Sequence, residues 1–101
     1  MTPGTGDDSS PTIARVKSGD RAALGVLLER HAHYLRLLVR LQLGRRLRPK
    51  FDVDDLLQDV FLEVHRRIDR FEGTSPHEFL GWLRRIVATV LSNKIRHYVG
   101  T

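Results

Sequence analysis

The sequence contains no cysteine and no long apolar run among its 101 residues. Without cysteine the fold has no disulfide and no thiolate metal site, so a chain this short must commit most of its apolar residues to a single core. Its most apolar stretch, residues 35–43, contains Arg36 and Arg40 and is far shorter than the roughly 20 residues of a membrane span. The polar, acidic start MTPGTGDDSSP is unlike a secretory signal. These features predict a cytoplasmic protein without membrane insertion.

Motifs for catalysis are also missing. The chain has no glycine-rich phosphate loop, no serine elbow and no His-Glu-x-x-His pair. His31 and His33 are close in sequence, but two residues apart on a helix they point to different faces, which favours ordinary surface or half-buried histidines over a metal site. Acid–base catalysis by neighbouring carboxylates would need a cleft and a nucleophile that the sequence does not supply. We therefore predict a non-enzymatic protein with no cofactor and no metal.

Charge is abundant and unevenly distributed around a net value of +5. Residues 30–51 carry seven basic and no acidic side chains, residues 52–63 carry five acidic and no basic ones, and residues 64–101 carry seven basic and three acidic ones. A basic excess indicates a polyanionic partner, either nucleic acid or an anionic membrane surface. The acidic segment between two basic blocks requires a separate explanation.

Hydrophobic spacing predicts an all-α fold, because no segment alternates with period two. After a mobile tail over residues 1–11, a short helix is predicted from Thr12 to Ser18-Gly19, and Asp20 is the N-cap of a helix that extends to about Leu43. Gly44 ends this second helix, and residues 45–50 form a connector that Pro49 keeps from continuing it. The predicted core stripe of the second helix comprises Leu24, Leu27, Leu28, His31, Leu35, Leu38, Val39 and Gln42.

Two further helices have clear start signals. Asp52 is the predicted N-cap of a third helix that runs to about Phe71. Ser75, Pro76 and Glu78 form a capping box with proline at the first helical position, and the last helix runs from Pro76 to about Gly100. The predicted core residues are Val53, Leu57, Val60, Phe61, Val64, Ile68 and Phe71, then Phe79, Leu83, Ile86, Val87, Val90 and Leu91. We expect a compact bundle of three principal helices with a short leading helix, over residues 12–99.

The acidic segment forms one face of the third helix. This face carries Asp55, Gln58, Asp59, Glu63 and Arg66, with Leu56 and Leu62 beside it. A solvated helix face usually carries basic partners at i±4, and these acids are interpreted as lacking them. The combination of unpaired acids with leucines favours docking onto a basic surface of another protein, with a solvated face as the alternative.

A second pattern combines aromatic and basic residues. A glycine-containing turn beginning at Phe71 leads into a helix that bears Trp82, Arg84, Arg85, Thr89, Ser92, Lys94 and Arg96. Aromatic faces can stack on unpaired bases while cations neutralise phosphates. The alternative is that both aromatics belong to the core and the arginines are ordinary surface charges. Trp82 lies at the border of the apolar stripe, so we expect it to pack with one edge and present the other.

Three stretches together resemble region 2 of bacterial RNA polymerase sigma factors of the extracytoplasmic-function (ECF) group. They are ERHAHYLRLL, DVDDLLQDVFLEVHRRIDRF and EGTSPHEFLGWLRRIVATVLSNKIR, within residues 19–97. The resemblance implies a helical domain that binds the clamp helices of the largest subunit of core RNA polymerase. It also implies recognition of the promoter −10 element as a melted, non-template single strand, with no ATP site.

The resemblance assigns roles to individual residues. It implies that core polymerase is contacted by Asp55, Leu56, Gln58, Asp59, Leu62 and Glu63. It implies that the turn of Phe71, Glu72, Gly73, Thr74 and Ser75 captures a flipped base, and that the last helix supports strand separation and holds upstream DNA through Trp82, Arg84, Arg85, Thr89, Ser92 and Arg96. Extruding a base costs a few kcal/mol, which a fitted pocket, stacking and phosphate contacts can offset.

The sequence departs from the family pattern at Thr89, where many members carry an asparagine that lines the base pocket. A hydroxyl has fewer hydrogen-bonding options than an amide, so the base preference is expected to differ. The resemblance also implies a second helical domain, region 4, which this chain does not contain, and excision of an N-terminal domain is favoured over a natural one-domain member. The basic connector, residues 45–50, is either a solvated loop or a non-specific phosphate contact.

Two other functions stay open at this stage. The first is a sigma-like protein-interaction module, for example one that engages an anti-sigma protein, without promoter recognition. The second is a basic helical domain that binds duplex nucleic acid or anionic membrane without sequence preference.

Overall fold

The computed structural model describes residues 10–100, which form five α-helices and no strand. The helices are α1 (Ser10–Lys17), α2 (Arg21–Arg30), α3 (Ala32–Leu47), α4 (Val53–Arg67) and α5 (Pro76–Gly100). Single 3-10 turns follow α3 at Arg48–Lys50 and α4 at Ile68–Arg70. The all-α bundle predicted from hydrophobic spacing is confirmed. The predicted mobile tail lies, for residues 1–9, outside the described part of the chain, and α1 begins two residues before the expected start at Thr12.

The predicted cap at Asp20 is present, and it starts α2 where the sequence indicated. Asp20 has extended backbone angles and its Oδ1 accepts from the N–H of Ala23 at 2.9 Å. The Arg15 guanidinium donates to Asp20 Oδ2 at 2.9 Å, which ties the end of α1 to the start of α2. These hydrogen bonds lower the pKa of Asp20, with the Ala23 N–H as the largest cause.

The continuous helix predicted from Asp20 to Leu43 is wrong at His31. This residue leaves the helical region (φ −103°, ψ 7°), and the chain bends there between α2 and α3. The bend allows α2 to pack on α1 while α3 packs on α4 and α5. His31 itself is half-buried, with its ring 6.3 Å from that of Phe79. The apolar spacing that predicted one helix therefore belongs to two consecutive helices that both face the core.

The core face of α3 also differs at one predicted position. Gln42 is exposed, and Leu43 is buried in its place. The buried residues of α3 are Leu35, Val39 and Leu43, which are spaced by four. Because an α-helix has 3.6 residues per turn, residues spaced by four lie at successively rotated positions around its axis. The buried face of α3 therefore winds gradually around the helix where it crosses α4 and α5.

Gly44 interrupts α3 with a backbone conformation that suits glycine (φ 73°, ψ 177°). A helical turn then resumes and passes into the 3-10 turn at Arg48–Lys50. The predicted stop at Gly44 is therefore confirmed as a break in helical geometry, but residues 45–50 are helical turns and not an open loop. Phe51 ends this segment with its ring against that of Tyr98, at 5.3 Å between centroids.

The core is formed by the predicted faces of α4 and α5 together with buried residues of α1, α2 and α3. All six predicted core residues of α5 are buried, and so are Leu57, Val60, Val64, Ile68 and Phe71 on the α4 side. Asp52 is the N-cap of α4, accepting from the N–H of Asp54 at 2.8 Å. Within residues 10–100, no helix is long and apolar enough to span a membrane.

Candidate functional site

The turn between α4 and α5, residues 71–75, is built on a buried aromatic cluster; we call it the α4–α5 turn. Phe71 is 7% exposed, and its ring lies 5.5 Å from that of Phe79 and 5.2 Å from that of Trp82. Trp82 is half-buried against the same core, as expected from its place at the border of the apolar stripe. The turn therefore rests on a packed cluster of three rings.

The capping box predicted at Ser75 and Glu78 shapes the other side of the turn. Ser75 Oγ accepts from the Glu78 N–H at 3.1 Å, and Glu78 Oε1 accepts from the N–H groups of Thr74 and Ser75 at 2.9 and 3.1 Å. These backbone hydrogen bonds, led by that from Thr74, lower the pKa of the Glu78 carboxyl. The end of the turn is thus fixed to the first turn of α5.

Lys17 holds the same turn from α1, a contact that sequence reasoning missed. Its Nζ donates to the carbonyl oxygens of Gly73 at 2.8 Å and Glu72 at 3.3 Å, and lies 5.8 Å from the centroid of the Phe71 ring. The positive charge of Lys17 also contributes to the lowered pKa of Glu78. No local sequence pattern signals a contact between residues 55 or more positions apart, so only the tertiary fold reveals this anchor.

A recess on the outer side of the turn brings together several predicted residues. It is lined by Phe71, Glu72, Gly73, Trp82, Arg84 and Arg85, by Glu78 of the capping box, and by three residues that the sequence did not single out, Arg70, His77 and Gly81. Arg70, Arg84 and Arg85 are exposed around the half-buried Trp82 ring, and Arg84 donates to the Tyr34 hydroxyl at 3.1 Å. The arrangement offers an aromatic edge and three cations at one surface, which suits an unstacked base with its flanking phosphates.

Other predicted nucleic-acid residues lie outside this recess. Thr74 faces α1, where it lines a small apolar hollow with Ile13 and Lys17, and Ser75 is occupied as the helix cap. Thr89 donates its hydroxyl to the Arg85 carbonyl at 3.0 Å and lines a different groove, between α4 and α5. Ser92 and Arg96 are exposed further along α5. Thr89 lies seven residues after Trp82, about two helical turns further along α5, and the structure places it in this groove and not in the recess at the α4–α5 turn.

The predicted protein-docking face on α4 is only partly exposed. Asp55 and Gln58 are exposed, and the Leu62 side chain is 58% exposed; the three residues form one stripe at spacings of three and four. Leu56 is 3% exposed and packs in the core, so its placement beside the exposed acidic side is wrong. The reason is that α4 is covered on a wider arc than the predicted stripe, by α3 as well as α5.

The interpretation that these acids lack basic partners is also corrected. Glu63 pairs with Arg66 and Arg67, at i+3 and i+4, on α4 itself. Asp54 pairs with Arg36 of α3, and Asp59 pairs with Lys94 of α5 at 3.0 Å. Within residues 10–100, Asp55 has no ion-pair partner. The acidic face is therefore largely neutralised within the fold, apart from the Asp55, Gln58 and Leu62 stripe.

The groove beside this stripe runs between α4 and α5. From α4 it is lined by the acidic Asp59 and Glu63, the basic Arg66 and Arg67, and Leu62, and from α5 by the basic Lys94. Asn93 and His97 complete the lining from α5. Sequence reasoning did not connect the α5 residues with α4, because their proximity depends on how the two helices pack.

Comparisons with known proteins agree with this fold. Residues 31–99 match the family model described as Sigma-70 region 2. The chain is 35% identical over 81 residues to the ECF RNA polymerase sigma-E factors of Escherichia coli (strain K12) and Salmonella typhimurium (strain LT2), and 30% identical to that of Haemophilus influenzae. Each match covers 80% of this chain and 39% of the relative, so the chain spans well under half the length of these proteins.

Proposed function

This chain belongs to the sigma-70 region 2 family, and from that membership we propose that it is the polymerase-binding and promoter-binding domain of an ECF-type transcription initiation factor. It acts by binding, in the cytoplasm, and carries no catalytic group. Core RNA polymerase and the non-template strand of the −10 element are its two partners, and an anti-sigma protein is a further candidate partner. We assign this domain to residues 12–99, of which residues 31–99 match the family model.

The recess at the α4–α5 turn is the observation that carries the promoter-binding part. A flipped base needs an aromatic surface and a rigid wall, and the phosphates on either side of it need cations. Trp82 supplies the surface, the turn fixed by Lys17 and Glu78 supplies the wall, and Arg70, Arg84 and Arg85 surround it. Because the turn is already held in place in the free chain, little ordering entropy opposes capture of the base.

Polymerase docking is supported by the stripe of Asp55, Gln58 and Leu62. An exposed leucine next to a free carboxylate and an amide provides apolar area together with charge complementarity to a basic surface. Asp59 and Glu63 border this stripe but are held by Lys94, Arg66 and Arg67. We therefore assign the larger part of the binding free energy to the stripe. Asp59 and Glu63 contribute only if their ion pairs rearrange, and Leu56 acts by supporting the helix from the core.

The test separates the two partners. Binding of the chain to core polymerase and of the resulting complex to labelled −10 single strands of varied sequence is measured by fluorescence anisotropy. Changing Asp55→Lys and Leu62→Ala together should weaken polymerase binding at least about tenfold, since exposed interface anchors of this kind contribute more than about 1 kcal/mol. The control Val26→Ala, which truncates a side chain 54% exposed on α2, should change it little. Both variants alter exposed side chains and should unfold like the parent chain.

The outcomes discriminate between functions. Failure to bind polymerase, or binding of single strands without base preference, would reject the proposal. Polymerase binding combined with no binding of −10 strands would favour the sigma-like interaction module. Equal binding to any nucleic acid, with steep salt dependence and no effect of the α4 variant, would favour the non-specific basic domain.

A further inference from the structure

A dense group of free cations lies at the end of α3. Arg45, Arg46, Arg48 and Lys50, which we call the basic segment, are all exposed, and none has an ion pair or side-chain hydrogen bond within residues 10–100. Several other cations of the chain are paired, as Arg15, Arg36, Arg67 and Lys94 show. Four like charges within six residues repel one another unless an anionic partner is bound. The basic segment is therefore a candidate binding surface that the proposed function has not used.

The fold fixes where this segment lies relative to the α4–α5 turn. Gly44 redirects the chain, and Phe51, directly after the segment, packs its ring on that of Tyr98 near the end of α5. Val99 shares a surface hollow with Arg45 and Arg46. The α4–α5 turn precedes the first residue of α5, Pro76, so the turn and the basic segment lie at opposite ends of the same helix.

The length of α5 sets the distance between the α4–α5 turn and the basic segment, and this distance can be compared with the spacing of base pairs in DNA. Its 25 residues span about 37 Å at roughly 1.5 Å per residue. Base pairs in B-DNA are spaced by about 3.4 Å, so this length corresponds to about 11 base pairs, or roughly one helical turn. Arg85, Ser92 and Arg96 are exposed along α5 at spacings of seven and four, which marks a continuous polar face between its two ends.

We propose that the basic segment binds the phosphate backbone of the promoter duplex about one helical turn upstream of the base captured at the α4–α5 turn. This inference rests on the proposed function. Duplex phosphate is the fitting ligand because residues 45–50 present four cations and contain no aromatic side chain that could stack on an unpaired base. Beside them, Phe51 is half-buried against the ring of Tyr98, which is 45% exposed. The contact is independent of sequence and adds affinity without changing the base preference.

The experiment compares two junction DNAs that differ only in upstream duplex length. Both carry the same −10 single strand; one has about 6 upstream base pairs and the other about 16, so that only the longer duplex extends past the end of α5 to the basic segment. The chain in complex with core polymerase is titrated with each DNA between about 50 and 200 mM salt. The variant changes Arg45, Arg46, Arg48 and Lys50 to Gln, and its thermal unfolding is compared with that of the parent chain.

We expect the parent complex to bind the longer duplex with a steeper salt dependence than the shorter one, and the variant to abolish this difference. Each phosphate contact that is removed lowers the steepness of the plot of log affinity against log salt by about 0.9. Over the fourfold salt range, the affinity of the variant should then fall by a factor about 3.5 times smaller for each lost contact. Equal weakening on both DNAs, or weaker binding to polymerase without DNA, would overturn the inference, as would no effect at all. In each of these cases −10 strand binding by the parent complex still supports the proposed function; its absence would reject that function separately.

Discussion

Gly73 occupies a position in the α4–α5 turn where a methyl group does not fit. An added Cβ would lie 2.7 and 2.8 Å from two atoms of the Phe71 ring and 2.8 Å from the Cβ of Glu78. Neither neighbour can move aside easily, because Phe71 is buried between Phe79 and Trp82 and the Cβ of Glu78 is fixed to the helix backbone. Gly73→Ala must therefore displace the turn itself.

The size of the effect follows from these distances. Ordinary van der Waals contact for a Cβ begins near 3.4 Å, so the turn must move by about 0.7 Å to relieve the closest approach. Overpacking of this kind costs about 1–3 kcal/mol, and in a domain of this size each kcal/mol lowers Tm by about 4–8 °C. The same movement strains the hydrogen bonds from Lys17 to Gly73 and from Thr74 to Glu78. Binding of −10 strands should weaken more than the loss of stability alone explains.

Gly25→Ala provides the matched control. Gly25 lies inside α2, where an added Cβ meets nothing within 4 Å, and alanine is favoured over glycine in a helix by about 0.5–1 kcal/mol. Thermal unfolding followed by circular dichroism should therefore show opposite shifts for the two variants, with −10 binding reduced only by Gly73→Ala. A Gly73→Ala chain with unchanged Tm and unchanged strand binding would refute the reasoning.

Two further predictions concern the groups that hold the turn. Lys17→Met keeps the aliphatic stem but removes the donors to the Glu72 and Gly73 carbonyls. Binding of −10 strands should therefore fall about threefold to tenfold while polymerase binding stays unchanged, as measured by anisotropy with each partner. An equal loss for both partners would contradict a role confined to the turn. The lowered pKa of Glu78 means that the folded state stabilises the charged carboxylate more than the unfolded chain does. The charged carboxylate therefore adds to the free energy of unfolding above the ordinary pKa of 4.5, and this stabilisation is lost as the pH falls from 4.5 through the folded pKa. Denaturant titrations across this acidic range should show a shallower loss of stability for Glu78→Gln than for the parent, with a remaining slope to which Asp20 contributes, and an unchanged slope would contradict the assignment.

The elements of the fold were predictable where local chemistry determines them. Asp52 and the Ser75–Glu78 box cap their helices through hydrogen bonds spanning only two or three residues, and such signals are legible in sequence. The break at His31 could not be predicted in this way, because the apolar spacing continues through His31. Only the packing of α2 and α3 on different neighbouring helices requires the bend. For the same reason Gln42 was predicted in the core where Leu43 is found.

In the candidate site, too, residues could be selected from the sequence, but contacts between distant residues could not be predicted. Trp82, Phe71 and the flanking arginines could be selected from residue type and position, and the recess brings them together. The ion pairs from Arg36 to Asp54 and from Lys94 to Asp59 join residues 18 and 35 positions apart, and the Lys17 hydrogen bonds span 55 and 56. Only tertiary packing creates such pairs, whereas Glu63 pairs with Arg66 and Arg67 within α4 and that local pairing was overlooked. For both reasons the free part of the acidic face was overestimated.

The uninterrupted course of α5 restricts how this domain can change in length. Inserting one residue in the middle of α5 would rotate its distal half by about 100° and advance it by about 1.5 Å, which would carry Tyr98 away from Phe51 while the buried half before the insertion stayed in place. An insertion of about seven residues would nearly restore the rotation but would lengthen the helix by about 10 Å. Natural relatives should therefore vary by substitution within α5 and accept insertions and deletions in the segments between helices.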